Sequence, residues 1–124
     1  MDTDVEVLKP LDCFLGHEAF SGFEDAGHVT TGVIGSEKGG KYVSENLAEY
    51  GKRHFVKEDG SLDTTTNVAV MTDYMKRHGL RMDDTLQEFP GLITIYPREY
   101  FCPKDSYAYS RNPGCVTENT HTIH

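Results

Sequence analysis

The stretch Leu92-Ile93-Thr94-Ile95-Tyr96 is the clearest strand in this sequence. Its β-branched and aromatic side chains suit a pleated, buried surface, and Pro97 ends it because proline cannot donate a ladder hydrogen bond. The same composition, with turn residues on either side, predicts shorter strands elsewhere in the chain. These lie at residues 5–8, 19–24, 28–34, 99–102 and 120–124.

Residues 41–53 and 66–78 have helical periodicity. In the first helix the predicted apolar stripe is Val43, Leu47 and Tyr50, at i, i+4 and i+7, and we expect it to face the core. The predicted solvent face of that helix carries Glu45, Glu49 and Lys52.

The second helix has both a start signal and a stop signal. Thr65 or Thr66 can cap its first turn, and Gly79 can end it. Its predicted buried face consists of Val68, Met71, Met75 and His78. Residues 56–63 and 103–117 are rich in turn formers and are predicted to be loops.

Strands and helices follow one another without strict alternation, so the predicted class is α/β (mixed α+β). A chain of 124 residues suits one domain. A strand-like pattern already begins at Val5, and the chain closes on Ile123-His124. We therefore expect residues 1–124 to be a single domain that is a fragment of a longer chain, with exposed sheet edges where neighbouring strands are missing.

Composition and charge exclude several classes of protein. The net charge is −8, which argues against binding to nucleic acid, because that affinity rests on lysine and arginine contacts to phosphate. No apolar stretch is long enough to span a bilayer. The three cysteines lack zinc-finger spacing and do not form a disulfide framework, so a reducing, cytoplasmic compartment is expected.

Three patterns carry candidate chemistry. Asp2-x-Asp4 can place two carboxylates on one divalent cation such as Mg²⁺ or Mn²⁺, although such a pair is also common at a solvated strand start. His124 is a possible nitrogen ligand, although a lone histidine is more often structural. Polar side chains also precede the N-terminus of the second helix, in the run Gly60-Ser61-Leu62-Asp63-Thr64-Thr65-Thr66-Asn67. An anion or sugar hydroxyls can bind at such a position. Helix capping explains only part of this run.

Together these segments resemble the family-32 glycosyltransferases that carry a sugar-binding DXD motif, of the bacterial capsular-polysaccharide type. The segment that begins Asp2-Thr3-Asp4-Val5-Glu6-Val7 resembles the DXD segment. The family's order then continues through the following motifs: Phe20-Ser21-Gly22-Phe23-Glu24, Gly35-Ser36-Glu37-Lys38-Gly39, Thr66-Asn67-Val68, Met71-Thr72, Ile95-Tyr96-Pro97-Arg98-Glu99-Tyr100-Phe101-Cys102-Pro103 and Glu118-Asn119-Thr120-His121-Thr122-Ile123-His124. Position 121 is commonly tyrosine in such sequences and is histidine here.

The resemblance implies the C-terminal, acceptor-side half of a GT-A fold with an incomplete sheet, whose nucleotide-binding N-terminal half is missing. It implies that Asp2, Asp4 and His124 bind Mn²⁺ or Mg²⁺, with Asp2, Asp4 and Thr66 contacting the nucleotide diphosphate sugar. Asp63 and Asn67 would line the wall that faces donor and acceptor.

The implied parent is a retaining hexosyltransferase of polysaccharide biosynthesis that acts on a glycan or lipid-linked acceptor. It would work in the cytoplasm, with peripheral association at the inner face of the plasma membrane. The 124 residues alone would be inactive. We identify no covalent nucleophile, and Cys102 has no activating base near it in sequence.

Two alternatives remain open. Asp2-x-Asp4-Val5 also fits a haloacid-dehalogenase-like phosphatase, in which the first aspartate follows a buried strand and acts as the nucleophile. A non-catalytic carbohydrate-binding module is the other alternative, although tryptophan is absent. Its stacking residues would be Tyr96, Tyr100, Phe101, Tyr107 and Tyr109.

Overall fold

The computed structural model describes residues 1–104 and 115–124. Within these residues the strands are β1 (Glu6–Val7), β2 (Ala19–Gly22), β3 (Gly35–Ser36), β4 (Gln87–Phe89), β5 (Ile93–Tyr96) and β6 (Thr122–Ile123). The helices are α1 (Lys41–Tyr50) and α2 (Asn67–Arg77), and short 3-10 turns occupy Asp12–Phe14 and Arg98–Tyr100.

A mixed sheet of four strands in the order β3-β2-β5-β4 is the centre of the fold. β2 and β5 run parallel in the middle, and β3 and β4 each pair antiparallel on the outside. Both helices lie in the long connection between β2 and β5. β1 and β6 pair antiparallel in a separate two-stranded sheet. The predicted mixed α/β class is confirmed.

Both faces of the central sheet are covered. Alternating side chains of β2 and β5 therefore enter two different apolar clusters. Ala19, Ile93 and Ile95 pack with the helical residues Tyr42, Met71, Tyr74 and Met75. On the opposite face Phe20 packs with Phe14, Val33, Phe101 and Cys102. β5 lies within the stretch 92–96 and is buried on both sides, so the strand predicted there is confirmed.

The start and end signals of α2 act as predicted. The Thr66 side chain accepts a hydrogen bond from the backbone N–H of Ala69, and Gly79 follows the helix with a φ of 91°. Met71 and Met75 are buried as expected. His78 is exposed and caps the helix end, so its place on the buried face was predicted wrongly.

The prediction for α1 is right about the helix and wrong about its orientation. Val43, Leu47 and Tyr50 are exposed, Leu47 to 70%. The buried residues are Tyr42 and Asn46, which lie on another face of the helix. Tyr42 contacts the ring of Tyr74 edge-on. This contact turns the face of α1 that carries Tyr42, and not the apolar stripe, toward α2.

The predicted strand at 28–34 is wrong. Apart from a bridge between Phe23 and Val29, the segment is irregular. The Ser21 hydroxyl donates to the carbonyls of Thr30 and Val33, so a side chain takes the place of a ladder partner. Val29, Thr30 and Val33 are buried, and their β-branched composition reflects burial and not pleating.

The predicted strand at 99–102 is also wrong, because the chain forms the 3-10 turn Arg98–Tyr100 there and then buries Phe101. The strands predicted at 5–8, 19–24 and 120–124 are present in shortened form as β1, β2 and β6. β3 and β4 were not predicted. Most of the predicted loop at 103–117 lies outside the described residues.

No helix among the described residues combines the length and the apolar character that crossing a bilayer requires.

Candidate functional site

The pairing of β1 with β6 brings the beginning and the end of the chain together. Glu6 lies opposite Ile123, and Val7 lies opposite Thr122. The backbone N–H of Asp2 also donates to the carbonyl of Gly32, at 2.8 Å, which ties the first residues to the 28–34 segment. The residues just outside this ladder are therefore neighbours although they are remote in sequence.

Asp2, Asp4 and His124 meet at this junction. His124 Nε2 lies 3.5 Å from Asp4 Oδ1 and 3.9 Å from Asp2 Oδ2. One ligand atom from each of the three lies within 4.8 Å of the others. The carboxylate side chains are 56% and 78% exposed, whereas the imidazole is 24% exposed. The histidine is thus the most buried of the three side chains, and the two carboxylates lie largely in solvent.

Gly32 forms the floor beneath the imidazole. A Cβ added at Gly32 would lie 2.7 Å from His124 Nδ1 and 3.0 Å from its Cγ, closer than normal packing allows. The absence of a side chain at this position therefore lets the ring lie directly on the backbone. The sequence prediction did not single out Gly32, because nothing local to residues 28–34 indicates a contact with the other end of the chain.

Glu24 is a further acidic group that the sequence analysis quoted within a motif but did not place in the site. Its pKa is raised because burial disfavours the charged form, while nearby His124 acts in the opposite direction. Asp2 also contributes to the raised pKa through charge repulsion. Glu24 is half-buried and lies two residues after the end of β2. The electrostatic environment of Asp2 and His124 therefore includes a third carboxylate.

Two of the remaining predicted site residues lie at the start of α2. Thr66 caps the helix, as described above, so part of its hydrogen-bonding capacity is already used. The Asn67 amide donates to the Thr31 hydroxyl at 3.3 Å. Because Thr31 precedes Gly32, this contact connects the N-terminus of α2 to the segment against which the His124 ring packs.

Asp63 is occupied by other partners. The Arg53 guanidinium donates to Asp63 Oδ2, at 3.0 Å from Nε and 2.5 Å from the terminal nitrogen. The backbone N–H and hydroxyl of Thr65 both donate to Asp63 Oδ1. These hydrogen bonds, that from Arg53 first, hold the pKa of Asp63 well below its ordinary value. A carboxylate bound in this way is a poor proton acceptor.

The chemistry of the Asp2, Asp4 and His124 donors can be tested against the implied cation. Two carboxylates suit Mg²⁺ or Mn²⁺, and an imidazole suits the softer of the two, Mn²⁺. Ligand atoms around such an ion lie about 3 Å from each other, so the two exposed aspartates would have to move inward slightly. The residues fit the ion. Exposed acidic groups also gather in proteins that bind no metal, so this proximity is not itself evidence of a metal site.

No protein-family model, no curated protein and no solved structure matches the chain.

Proposed function

We propose that these residues belong to the acceptor-side half of a metal-dependent family-32 glycosyltransferase. The parent enzyme would transfer a hexose from a nucleotide diphosphate sugar to a glycan or lipid-linked acceptor in polysaccharide biosynthesis. The remaining, nucleotide-binding half would be needed for transfer, so the 124 residues alone would be inactive. The ordered series of motifs and the geometry at the paired ends of the chain support this proposal.

One observation carries the proposal. The resemblance requires Asp2, Asp4 and His124 to act on one cation, although they lie at opposite ends of the sequence. The β1–β6 ladder puts their ligand atoms within 4.8 Å of each other. If the two ends of the chain lay on opposite sides of the molecule, the three side chains could not bind one ion, and the proposal would fail.

In the proposed site Asp2, Asp4 and His124 would hold Mn²⁺ or Mg²⁺. When bound, the ion would offset the negative charge that develops on the leaving nucleotide diphosphate. The chain's own part is to orient these ligands, and the contact of His124 with the backbone at Gly32 restricts the imidazole to one side of the site.

Residues at the start of α2 complete the proposed site. Asn67 would present its amide to the sugar hydroxyls beside the 28–34 segment. Thr66 would fix the start of α2 through its cap. Asp63 would hold the preceding loop in place through its ion pair with Arg53. We assign no covalent nucleophile.

The two alternatives receive less support from the geometry. A haloacid-dehalogenase-like nucleophile follows a buried strand, whereas Asp2 and Asp4 precede β1, and both β1 residues are exposed. A sugar-stacking surface needs open aromatic faces, whereas Phe101 is buried and Tyr96 and Tyr100 pack against it. Tyr107 and Tyr109 lie outside the described residues.

The metal site can be tested without measuring sugar transfer. Mn²⁺ broadens the NMR signals of nuclei close to it, so titration of the chain with Mn²⁺ maps where the ion binds. We expect the signals of Asp2, Asp4, Gly32 and His124 to broaden first. Adding a UDP-sugar or a GDP-sugar should strengthen this effect if the ion also contacts the diphosphate.

Substitutions then identify the ligands. Asp2→Asn and Asp4→Asn should each weaken Mn²⁺ binding at this position by tenfold or more, whereas Asp73→Asn, at an exposed carboxylate on α2, should leave it unchanged. Broadening spread evenly over the exposed acidic groups, or unaffected by the two substitutions, would overturn the proposal.

A further inference from the structure

A cysteine and a histidine that the proposed function does not use lie next to each other at the other end of the β1–β6 ladder. Cys13 Sγ is 4.0 Å from His121 Nε2. Cys13 is exposed, on the short turn that follows β1, and His121 directly precedes β6. The ladder that gathers Asp2, Asp4 and His124 therefore also brings a thiol and an imidazole together.

The imidazole is held in a defined orientation. His121 Nδ1 lies 3.0 Å from the carbonyl oxygen of Pro10. Since a carbonyl can only accept, Nδ1 carries the proton, and the unprotonated Nε2 of the neutral ring faces Cys13. The ring lies parallel to Tyr100 at an interplanar angle of 5° and meets the edge of Phe14 at 4.7 Å between centroids.

This arrangement has the three parts of an activated nucleophile: a thiol, a base facing it, and a third group that sets the tautomer of the base. The distance of 4.0 Å is long for a hydrogen bond to sulfur. Such contacts are often loose before a reaction partner binds, and the Cys13 side chain is exposed and free to turn.

We propose that Cys13 and His121 form a reactive thiol–imidazole pair, and that Cys13 is a site of reversible modification by small disulfides. This site is separate from the proposed metal site and does not depend on it.

The modification is a thiol–disulfide exchange. The Sγ–H proton of Cys13 moves to His121 Nε2, and the thiolate attacks one sulfur of the disulfide. A new S–S bond forms to Cys13 while the original S–S bond breaks, and its electron pair leaves with the second sulfur. His121 returns the proton to this leaving thiolate. Cys13 is thereby oxidised to a mixed disulfide, and half of the reagent is reduced to a free thiol.

The other two cysteines provide internal comparisons. Cys102 is buried, and burial raises the pKa of its thiol to about 11, so it should react slowly. Cys115 is only partly exposed.

The test follows the reaction of the folded chain with dithiodipyridine, an aromatic disulfide that releases a coloured product, at about pH 7. Peptide mapping by mass spectrometry assigns each phase to a cysteine. Because a base held beside the thiol can take up its proton as the sulfur attacks, we expect Cys13 to react faster than the same cysteine in a peptide of residues 9–16, by at least about threefold.

Variants attribute the effect to His121. His121→Tyr keeps an aromatic ring in the stack but has no imidazole base, and His121→Asn is a second, smaller replacement. Both should lower the Cys13 rate to that of the peptide at about pH 7. The difference from the unsubstituted chain should shrink at about pH 9.5, where a free thiol ionises without help. Cys13→Ser should abolish the fast phase, and Cys115→Ser should not.

Two results would each overturn the proposal. One is a Cys13 rate in the folded chain no higher than in the peptide, which is informative even if neither His121 variant folds. The other is a fast phase that persists in both His121 variants.

Discussion

Gly35→Ala should destabilise the protein strongly, because the Phe20 ring lies where the new methyl group would be. An added Cβ would be 2.0 Å from Phe20 Cε1 and 2.5 Å from its Cζ. To restore ordinary contact at 3.4 Å, the two groups would have to separate by about 1.4 Å. Gly35 pairs with Phe20 across the β2–β3 ladder, so separating their backbones would break that pairing.

The Phe20 ring has little freedom to move aside. It is 5% exposed and stacks on Phe14 at a centroid distance of 5.1 Å, with Phe101 at 5.9 Å. Overpacking of a filled core costs about 1–3 kcal/mol, and the lack of room puts this site at the upper end of that range. For a domain of this size a loss of about 3 kcal/mol lowers the melting temperature by about 10 °C.

Urea denaturation of Gly35→Ala against the unsubstituted chain measures this loss. Gly16→Ala is the matched control, since a Cβ there meets nothing within 4 Å and the residue has no positive φ. Its stability should be unchanged or slightly higher. Repeating Gly35→Ala in a Phe20→Leu background should reduce the loss. A loss below about 1 kcal/mol in the original background would refute the reasoning, because the ring could then not occupy this position.

Two further predictions concern the candidate site. Gly32→Ala should displace the His124 imidazole, with little change in the urea midpoint. If the ion binds as proposed, Mn²⁺ affinity should fall by about 10–100-fold. Unchanged Mn²⁺ broadening of the His124 signals would contradict this prediction. Asp63→Asn should destabilise the chain above about pH 4, where the unfolded carboxylate is charged, and the difference should disappear as the pH falls through the lowered folded-state pKa. Thermal melts across this range measure it, and a constant difference down to low pH would count against the Arg53 pair.

The elements that were predicted correctly depend on local signals. Aliphatic, β-branched or aromatic side chains lie on both sides of the strand at 92–96, and turn residues flank it, so its own sequence is sufficient to indicate a buried strand. The cap at Thr66 and the glycine after α2 act on their own first and last turns. Such signals operate over a few residues and need no tertiary partner.

The elements that were predicted wrongly depend on partners that are remote in sequence. Val43, Leu47 and Tyr50 have the right spacing for a buried stripe, but Tyr74 of α2 contacts Tyr42 instead. Residues 28–34 have the composition of a strand, but the carbonyls of Thr30 and Val33 accept hydrogen bonds from the Ser21 hydroxyl instead of from a neighbouring strand. In both cases the local sequence pattern shows that a segment can be buried, but it does not show which partner the segment will pack or hydrogen-bond with.

The candidate site divides in the same way. Asp2, Asp4 and His124 were named from their residue types and from the resemblance, whereas Glu24 and Gly32 emerged only from the folded structure. The Cys13–His121 pair was likewise not predicted, because neither residue has a partner nearby in sequence.

By itself, the sequence determined where the chain forms its second helix and its central strand, and which residue types could bind a cation. The tertiary structure alone decided which face of α1 is buried and that both ends of the chain meet across β1 and β6. The physical reason is that capping and hydrophobic periodicity act within one element, whereas pairing two distant strands depends on packing throughout the chain between them.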